Sequence, residues 1–117
     1  MLICTNVLTP LAGGGVVFRP HVFLRLQGDR IETIHEHCVE PAEDRTSQLC
    51  LPGFIDLHAH ISQYNARGRV AEGLLPWLSD HIFPEEIRSR DDRYAAATAE
   101  HFFDAMLHYG TTTAVCY

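Results

Sequence analysis

The sequence contains no C-x-x-C pair and no apolar run long enough to cross a membrane. A membrane-spanning helix needs about 20 consecutive apolar residues, so we expect no membrane partner. The first residues also lack the basic region and the apolar core of a secretory signal. The thiols are too widely spaced for a cysteine–zinc site and are typical of a reducing compartment, so we expect a cytoplasmic protein. They are Cys4, Cys38, Cys50 and Cys116.

Basic residues are also scarce, with 9 Lys and Arg against 15 Asp and Glu, and the net charge is −6. A nucleic-acid surface needs a basic patch that meets the phosphates, so this charge balance argues against a nucleic-acid partner. The hydrophobic content of 46% and the charged content of 21% are ordinary for a globular protein. A length of 117 residues suffices for one small domain.

The first 50 residues combine short alternating apolar stretches with turn signals. Residues that favour strands follow the triplet Gly13-Gly14-Gly15, so we predict a hairpin loop there and not the helix-opening turn of a phosphate site. We predict a polar connector over 41–47 and a boundary near residue 50. The pattern indicates a meander or the start of a small β-sandwich in residues 1–50. The predicted strands are Leu2–Leu8, Val22–Gln27 and Arg30–His37.

Residues 51–117 are organised as a strand, a helix and a second strand. The apolar segment Gly53–His60 predicts a strand that is covered on both faces. The segment Asp91–Tyr109 has the periodicity of a helix, and Thr111–Cys116 is rich in β-branched residues. This order predicts a βαβ unit with a parallel sheet and a right-handed crossover.

The details of the helical region are also predicted from local signals. Ser89 or Asp91 can cap the long helix and Gly110 can end it. Before it, we predict a long loop over 61–73 and a short helix over 74–82 that Phe83-Pro84 stops. The predicted buried stripe of the long helix contains Tyr94, Ala95, Phe102, Ala105, Met106 and Tyr109.

Two histidines separated by one residue, His58 and His60, end the first strand of the βαβ unit. Side chains two residues apart on a strand point the same way, so both imidazoles can reach one metal ion. Catalytic groups of α/β folds lie at the carboxyl ends of strands. Spacing and placement alone leave two interpretations open, a metal site and an ordinary pair of strand histidines.

Four other polar groups are candidates for a functional site. Asp56 lies on the same strand face as His58, and we predict a structural hydrogen bond for it. Gln63 can read a purine or pyrimidine edge with its amide, but its residue type alone favours a solvated loop residue. We predict that His35-Glu36-His37-Cys38 forms a solvent-facing strand edge. Glu85-Glu86 is interpreted as a charge pair at a helix start.

The stretch Leu51–His60 resembles the signature of the amidohydrolase superfamily, in which P-G, two apolar residues and D-x-H-x-H form the first strand of a (β/α)₈ barrel. Further stretches are similar to guanine deaminases: Gln63 follows His60 at the interval seen there, and residues 74–78, 83–86 and 109–114 carry L-L-P-W-L, F-P-E-E and Y-G-T-T-T-A. Ile61-Ser62 departs from the family, which often has a proline before the glutamine. The resemblance covers about residues 49–117.

The resemblance implies an α/β fold, namely the start of a TIM-type barrel preceded by strands of a small β-sandwich. It implies domains over residues 1–50 and 51–117, metal ligation by His58 and His60, and a contact of Gln63 with the purine ring. One Zn²⁺ is implied, with Fe²⁺ as the alternative. The remaining ligands and the acid/base groups of the family come from later strands, so no catalytic residue is expected within this chain.

A complete (β/α)₈ barrel needs about 250 residues, so we expect an incomplete barrel and an amino-terminal fragment. The implied activity is hydrolytic deamination of guanine, a small-molecule purine, to xanthine and ammonia, by an enzyme that is a homodimer when full length. Two alternatives stay open. One is an aminohydrolase of the same superfamily that acts on another purine, a pyrimidine or a triazine. The other is a truncated module without catalysis.

Overall fold

The computed structural model describes residues 1–117, which divide into two compact units, Met1–Pro52 and Gly53–Tyr117. The first unit is a single sheet of four strands. In chain order they are β1 (Leu2–Pro10), β2 (Val16–Gln27), β3 (Arg30–His35) and β4 (Glu43–Cys50). Their order across the sheet is β3-β2-β1-β4.

The predicted meander is confirmed in β1, β2 and β3, which pair antiparallel in sequence order. The Gly13–Gly15 segment forms the predicted hairpin loop between β1 and β2. Gly14 and Gly15 take φ values of 92° and 81°, a region that favours glycine because it has no Cβ. Val22 and Leu24 of β2 are buried. A sandwich requires a second facing sheet, and residues 1–52 form only one.

The polar connector predicted over 41–47 is wrong, because Glu43–Cys50 is strand β4 and pairs parallel with β1. The strand has few apolar residues since it lies at the sheet edge and most of it is exposed. Side chains of β1 hold its irregular centre: Thr5 Oγ1 donates to the Arg45 carbonyl at 3.3 Å, and Asn6 Nδ2 donates to the Thr46 carbonyl at 2.7 Å. These bonds satisfy carbonyls where the register shifts.

The second unit contains the predicted βαβ arrangement. Strands β5 (Phe54–Ala59) and β6 (Thr111–Cys116) pair parallel, and the long helix lies between them in the chain. The other elements are a 3₁₀ helix (Ile61–Ala66) and the helices α1 (Leu74–Trp77), α2 (Phe83–Arg88) and α3 (Asp92–His108). No helix of the chain is long and apolar enough to cross a membrane.

Helix α3 begins and ends as its sequence predicts. Asp91 is the N-cap, and its carboxylate accepts hydrogen bonds from the backbone N–H groups of Arg93 and Tyr94. Gly110 follows the helix with a φ of 86°, as expected of a glycine that ends a helix. The predicted buried stripe is wrong at Tyr109, which is 77% exposed. Thr98 has helical spacing from Tyr94 and Phe102 and is buried although it is polar, and its hydroxyl accepts a hydrogen bond from Asn65 Nδ2.

Two predictions about the 61–88 region are wrong. The loop expected over 61–73 begins with the 3₁₀ helix, so only its second part is irregular. Phe83-Pro84 does not stop the helix, because α2 continues to Arg88. Pro84 lies in the first turn of α2, where the absence of its N–H needs no compensation. A π-helical turn over Leu78–Ile82 joins α1 to α2.

Strand β5 is apolar, as predicted, but it is not covered on both faces. Phe54, Ile55 and Leu57 are exposed, Leu57 to 70%, and only Ala59 of this strand is buried. The reason is that β6 is the only strand paired with β5 in this chain. The apolar composition of β5 is therefore typical of a strand that has more neighbours than residues 53–117 provide.

Gly53, which precedes β5, has no room for a side chain. A Cβ at this position would lie 2.1 Å from Thr112 Oγ1 and 2.7 Å from Thr112 Cβ. Rotation of the threonine cannot relieve the second contact, so the strands must shift. We expect Gly53→Ala to lower the free energy of unfolding by about 1–3 kcal/mol. Chemical denaturation of this chain measures the effect.

Gly13→Ala is the matched control, because a Cβ at Gly13 meets no atom within 4 Å and the residue does not adopt a positive φ. We expect this control to change the free energy of unfolding by less than about 0.5 kcal/mol. Equal stabilities of the two variants contradict the close approach of Gly53 to β6.

Candidate metal centre

The two histidines of the H-x-H motif lie together, as their spacing predicts. His58 belongs to β5 and His60 lies one residue beyond its end. Their Nε2 atoms are 2.9 Å apart, and their ring centroids are 4.8 Å apart. Two nitrogens that each lie 2.0–2.1 Å from one zinc ion can be at most about 4.2 Å apart. The pair therefore fits a shared metal ion. The same separation also suits a hydrogen bond between rings in complementary tautomers.

Asp56 and Tyr117 lie beside the histidine pair. Asp56 Oδ1 accepts a hydrogen bond from the backbone N–H of His58 at 3.0 Å, which is the structural bond expected of Asp56. Tyr117 follows β6, and its N–H donates to the Ala59 carbonyl at 2.8 Å. Its ring centroid lies 4.9 Å from that of His58 and 5.9 Å from that of His60. The pairing of β6 with β5 thus places an aromatic ring beside both imidazoles.

No group of three or more His, Cys, Asp or Glu side chains in residues 1–117 is arranged to hold a metal ion. A catalytic zinc usually has three protein ligands, so His58 and His60 form only part of such a site. The cluster His35-Glu36-His37-Cys38 does not form a second one. Strand β3 ends at His35 at the sheet edge, and its residues are exposed. The predicted solvent-facing strand edge is therefore confirmed for His35, but the strand predicted over Arg30–His37 is two residues too long, and Cys38 is half-buried.

Gln63 lies in the 3₁₀ helix, close to the histidine pair. It lines a cavity of about 340 Å³ together with His60 and Trp77. Its Nε2 donates a hydrogen bond to Glu86 Oε1 at 2.8 Å. The hydrogen bond to α2 thus holds the Gln63 amide at a cavity that His60 also lines. Gln63 is therefore more ordered than the solvated loop residue that its residue type alone favours.

Glu85 and Glu86 are not a simple charge pair at a helix start, although both lie in the first turn of α2. Glu86 is exposed and bonds to Gln63, whereas Glu85 is only 2% exposed. The carboxylate of Glu85 accepts a 2.5 Å hydrogen bond from Tyr94 Oη and a 3.2 Å hydrogen bond from Arg88. The predicted position at a helix start is confirmed for both residues, but it does not account for the burial of Glu85, which depends on contacts with residues outside α2.

The Glu85 carboxylate links several elements of the second unit. Arg69, in the segment before α1, lies 3.6 Å from it. The hydroxyl of Tyr94 also accepts from Asn65 Nδ2 at 2.9 Å, and the same amide donates to Thr98 Oγ1 at 3.1 Å. The Tyr94 hydrogen bond, helped by the two arginines, holds the pKa of Glu85 below its ordinary value, although burial acts in the opposite direction. This network joins the 3₁₀ helix, α2 and α3.

Sequence reasoning missed Tyr117, the hydrogen bonds of Tyr94 and the burial of Glu85. Tyr117 could have been found from one signal, because it follows β6 just as His60 follows β5, and parallel neighbours bring such residues to the same edge. No local signal identifies Glu85, because Arg69 and Tyr94 approach it from separate parts of the chain.

The chain is similar in sequence to one protein family and to proteins of known name. The amidohydrolase family model matches residues 49–116. The guanine deaminase of Escherichia coli K12 is 40% identical over 74 residues, which are 63% of this chain and 17% of that protein. The guanine deaminase of Dictyostelium discoideum is 39% identical over 79 residues, which are 67% of this chain and 17% of that protein.

A solved structure is also similar. The guanine deaminase of C. acetobutylicum, with guanine bound in its active site, matches with a TM-score of 0.78 and 25% identity over 99% of this chain and 30% of that one. The chain thus spans 17% of the length of the two curated relatives. Because the family model matches more than half of its residues, the chain belongs to the amidohydrolase family.

Proposed function

We propose that this chain is the amino-terminal part of a metal-dependent guanine deaminase, which hydrolyses guanine to xanthine and ammonia. The observation that carries the proposal is the 2.9 Å approach of His58 and His60 Nε2 at the end of β5. The proposal is supported by the guanine deaminases that resemble the chain in sequence and in structure. In the reaction, the bond between the ring carbon and its amino nitrogen breaks, and a bond from that carbon to a water-derived oxygen forms.

His58 and His60 are proposed to hold one Zn²⁺, with Fe²⁺ as the alternative. When bound there, a zinc ion would lower the pKa of its water to about 7 and so would supply hydroxide at neutral pH. The histidines contribute neutral imidazole nitrogens, and the hydrogen bond from His58 N–H to Asp56 fixes the backbone that carries the first of them. Further ligands and the proton-transferring groups are proposed to lie outside this chain.

Gln63 is proposed to bind the purine. Gln63 and His60 line the same cavity, so a base bound by Gln63 lies close to the candidate metal ligands. An amide offers both a donor and an acceptor, which suits the mixed edge of a purine ring. Trp77 lines the same cavity, and its flat apolar ring suits the face of a base.

The proposal includes the domain assignment, in which residues 1–50 are strands of a small β-sandwich and residues 51–117 begin a (β/α)₈ barrel. The exposed apolar side chains of β5 support it, because a barrel strand is enclosed by neighbours that this chain lacks. A cytoplasmic location is proposed on the four free thiols. The homodimer expected of the full-length protein stays a prediction.

Release of ammonia from guanine tests this function. We expect the full-length protein, in which this sequence is followed by the rest of the barrel, to deaminate guanine in preference to adenosine-type and triazine substrates. The 117-residue chain alone is expected to be inactive, because two parallel strands cannot close a barrel or complete the ligand set. Preference for another heterocycle contradicts the substrate assignment, and turnover by the chain alone contradicts the fragment hypothesis.

A further inference from the structure

We propose that Glu86 is a positioning residue, whose carboxylate fixes the orientation of the Gln63 amide and thereby sets which hydrogen-bonding groups the base meets. The inference rests on the proposed function, since it concerns the same substrate contact. The two residues are 23 positions apart in the chain and are joined by the 2.8 Å bond from Gln63 Nε2 to Glu86 Oε1. Glu86 itself does not line the cavity, whereas Gln63 does.

A glutamine amide has two orientations of nearly equal shape, with the oxygen and the nitrogen exchanged. An ionised carboxylate only accepts hydrogen bonds, so the bond to Glu86 forms only when the amide nitrogen faces it. The reversed orientation places the amide oxygen against the carboxylate oxygen, which is repulsive. Glu86 therefore leaves the carbonyl oxygen of Gln63 and one N–H as the groups available to a ligand. A ligand that donates to that oxygen is selected.

Both ends of this bond are held in place by the fold. The backbone N–H of Gln63 donates to the His60 carbonyl at 3.3 Å, which ties the 3₁₀ helix to the candidate metal ligand. On the other side, Glu85 anchors α2 through its 2.5 Å bond from Tyr94 and its bond from Arg88. The Gln63–Glu86 bond therefore joins two segments that other hydrogen bonds hold in place, which favours one orientation of the amide.

A double-mutant cycle in the full-length protein separates positioning from a structural role. We expect Glu86→Ala to raise the KM for guanine about tenfold, which is the scale of one hydrogen bond to a charged group, with little change in kcat. In a Gln63→Ala background the same substitution is expected to leave KM unchanged. Glu86→Gln is expected to give an intermediate KM, because its amide oxygen still accepts but no longer fixes one orientation.

Glu100→Ala is the matched control, because Glu100 is exposed on α3 and has no ion pair or side-chain hydrogen bond. Thermal melts of all variants verify folding. An unchanged KM in Glu86→Ala, or an equal rise in the Gln63→Ala background, overturns the positioning role while leaving the deaminase proposal intact.

Equilibrium dialysis of metal-depleted protein against labelled guanine gives a readout that does not need turnover. If the wild-type protein releases no ammonia from guanine, the proposed function fails and this binding measurement decides the inference separately. The inference is supported if guanine binds Glu86→Ala about tenfold more weakly than wild type, and if Glu86→Ala does not weaken guanine binding further in the Gln63→Ala background. Equal binding to both proteins, or no binding to the wild type, overturns it.

Discussion

Replacing His58 or His60 by alanine in the full-length protein is expected to weaken zinc binding at least about 100-fold and to remove guanine deamination. Loss of a residue that merely orients a metal ligand costs 10–100-fold in metal affinity, so loss of a ligand costs at least as much. The Nε2 atoms lie 2.9 Å apart, so each substitution removes one of the two nitrogens that could share the ion. Metal content after dialysis and ammonia release measure the two effects.

His101→Ala is the control for general effects of removing a histidine. His101 is exposed on α3 and makes no side-chain hydrogen bond or ring contact, so we expect unchanged metal content and activity. Wild-type zinc content in both the His58 and the His60 variants supports a module without metal chemistry and contradicts the deaminase proposal.

Replacing Glu85 by alanine is expected to cause the largest loss of stability in the second unit, about 3 kcal/mol in the free energy of unfolding. The substitution removes a carboxylate that is 2% exposed and accepts from Tyr94 and Arg88. It also leaves the hydroxyl of the half-buried Tyr94 with one partner fewer. Arg69 and Arg88 are about half exposed, so water can solvate their charges once Glu85 is removed. We therefore expect a loss of unfolding free energy at the lower end of the range for breaking a buried ion pair. Urea unfolding measures it.

The stabilisation from Glu85 also depends on pH. Its pKa in the folded chain lies below the ordinary value of 4.5, mainly because Tyr94 donates to the ionised form. The contribution is therefore complete above about pH 4.5, the unfolded value, and it is lost as pH falls through the lower folded pKa. We expect the stability gap between wild type and Glu85→Gln to be constant near neutral pH and to shrink in acid.

Glu100→Gln is the control for this titration, because Glu100 is exposed and outside the network. Its stability is expected to follow the wild-type pH profile. A gap between wild type and Glu85→Gln that widens on acidification contradicts the ionised, hydrogen-bonded state of Glu85.

The βαβ arrangement was predictable because its signals are local. Asp91 caps α3, Gly110 ends it, and the β-branched run Thr111–Cys116 continues the chain as a strand. The shared side of His58 and His60 follows from the same kind of reasoning, since the period of a strand fixes the direction of alternate side chains. Both features depend on residues that are close in the sequence.

The features that sequence reasoning missed depend on distant residues. Strand β4 is polar, and only its pairing with β1 makes it a strand. The role of Glu85 depends on Tyr94 and Arg69, which no periodicity connects to it. The exposure of β5 is a related case. Its apolar composition does not indicate which strands lie beside it, and only β6 pairs with it.

The location of the metal ion in a crystal of the full-length protein tests the central claim most directly. Anomalous scattering at the zinc edge identifies the ion and its position. We expect one ion within about 2.0–2.1 Å of both His58 Nε2 and His60 Nε2. An ion bound elsewhere, or two imidazoles that bond only to each other in a protein loaded with zinc, contradicts the account.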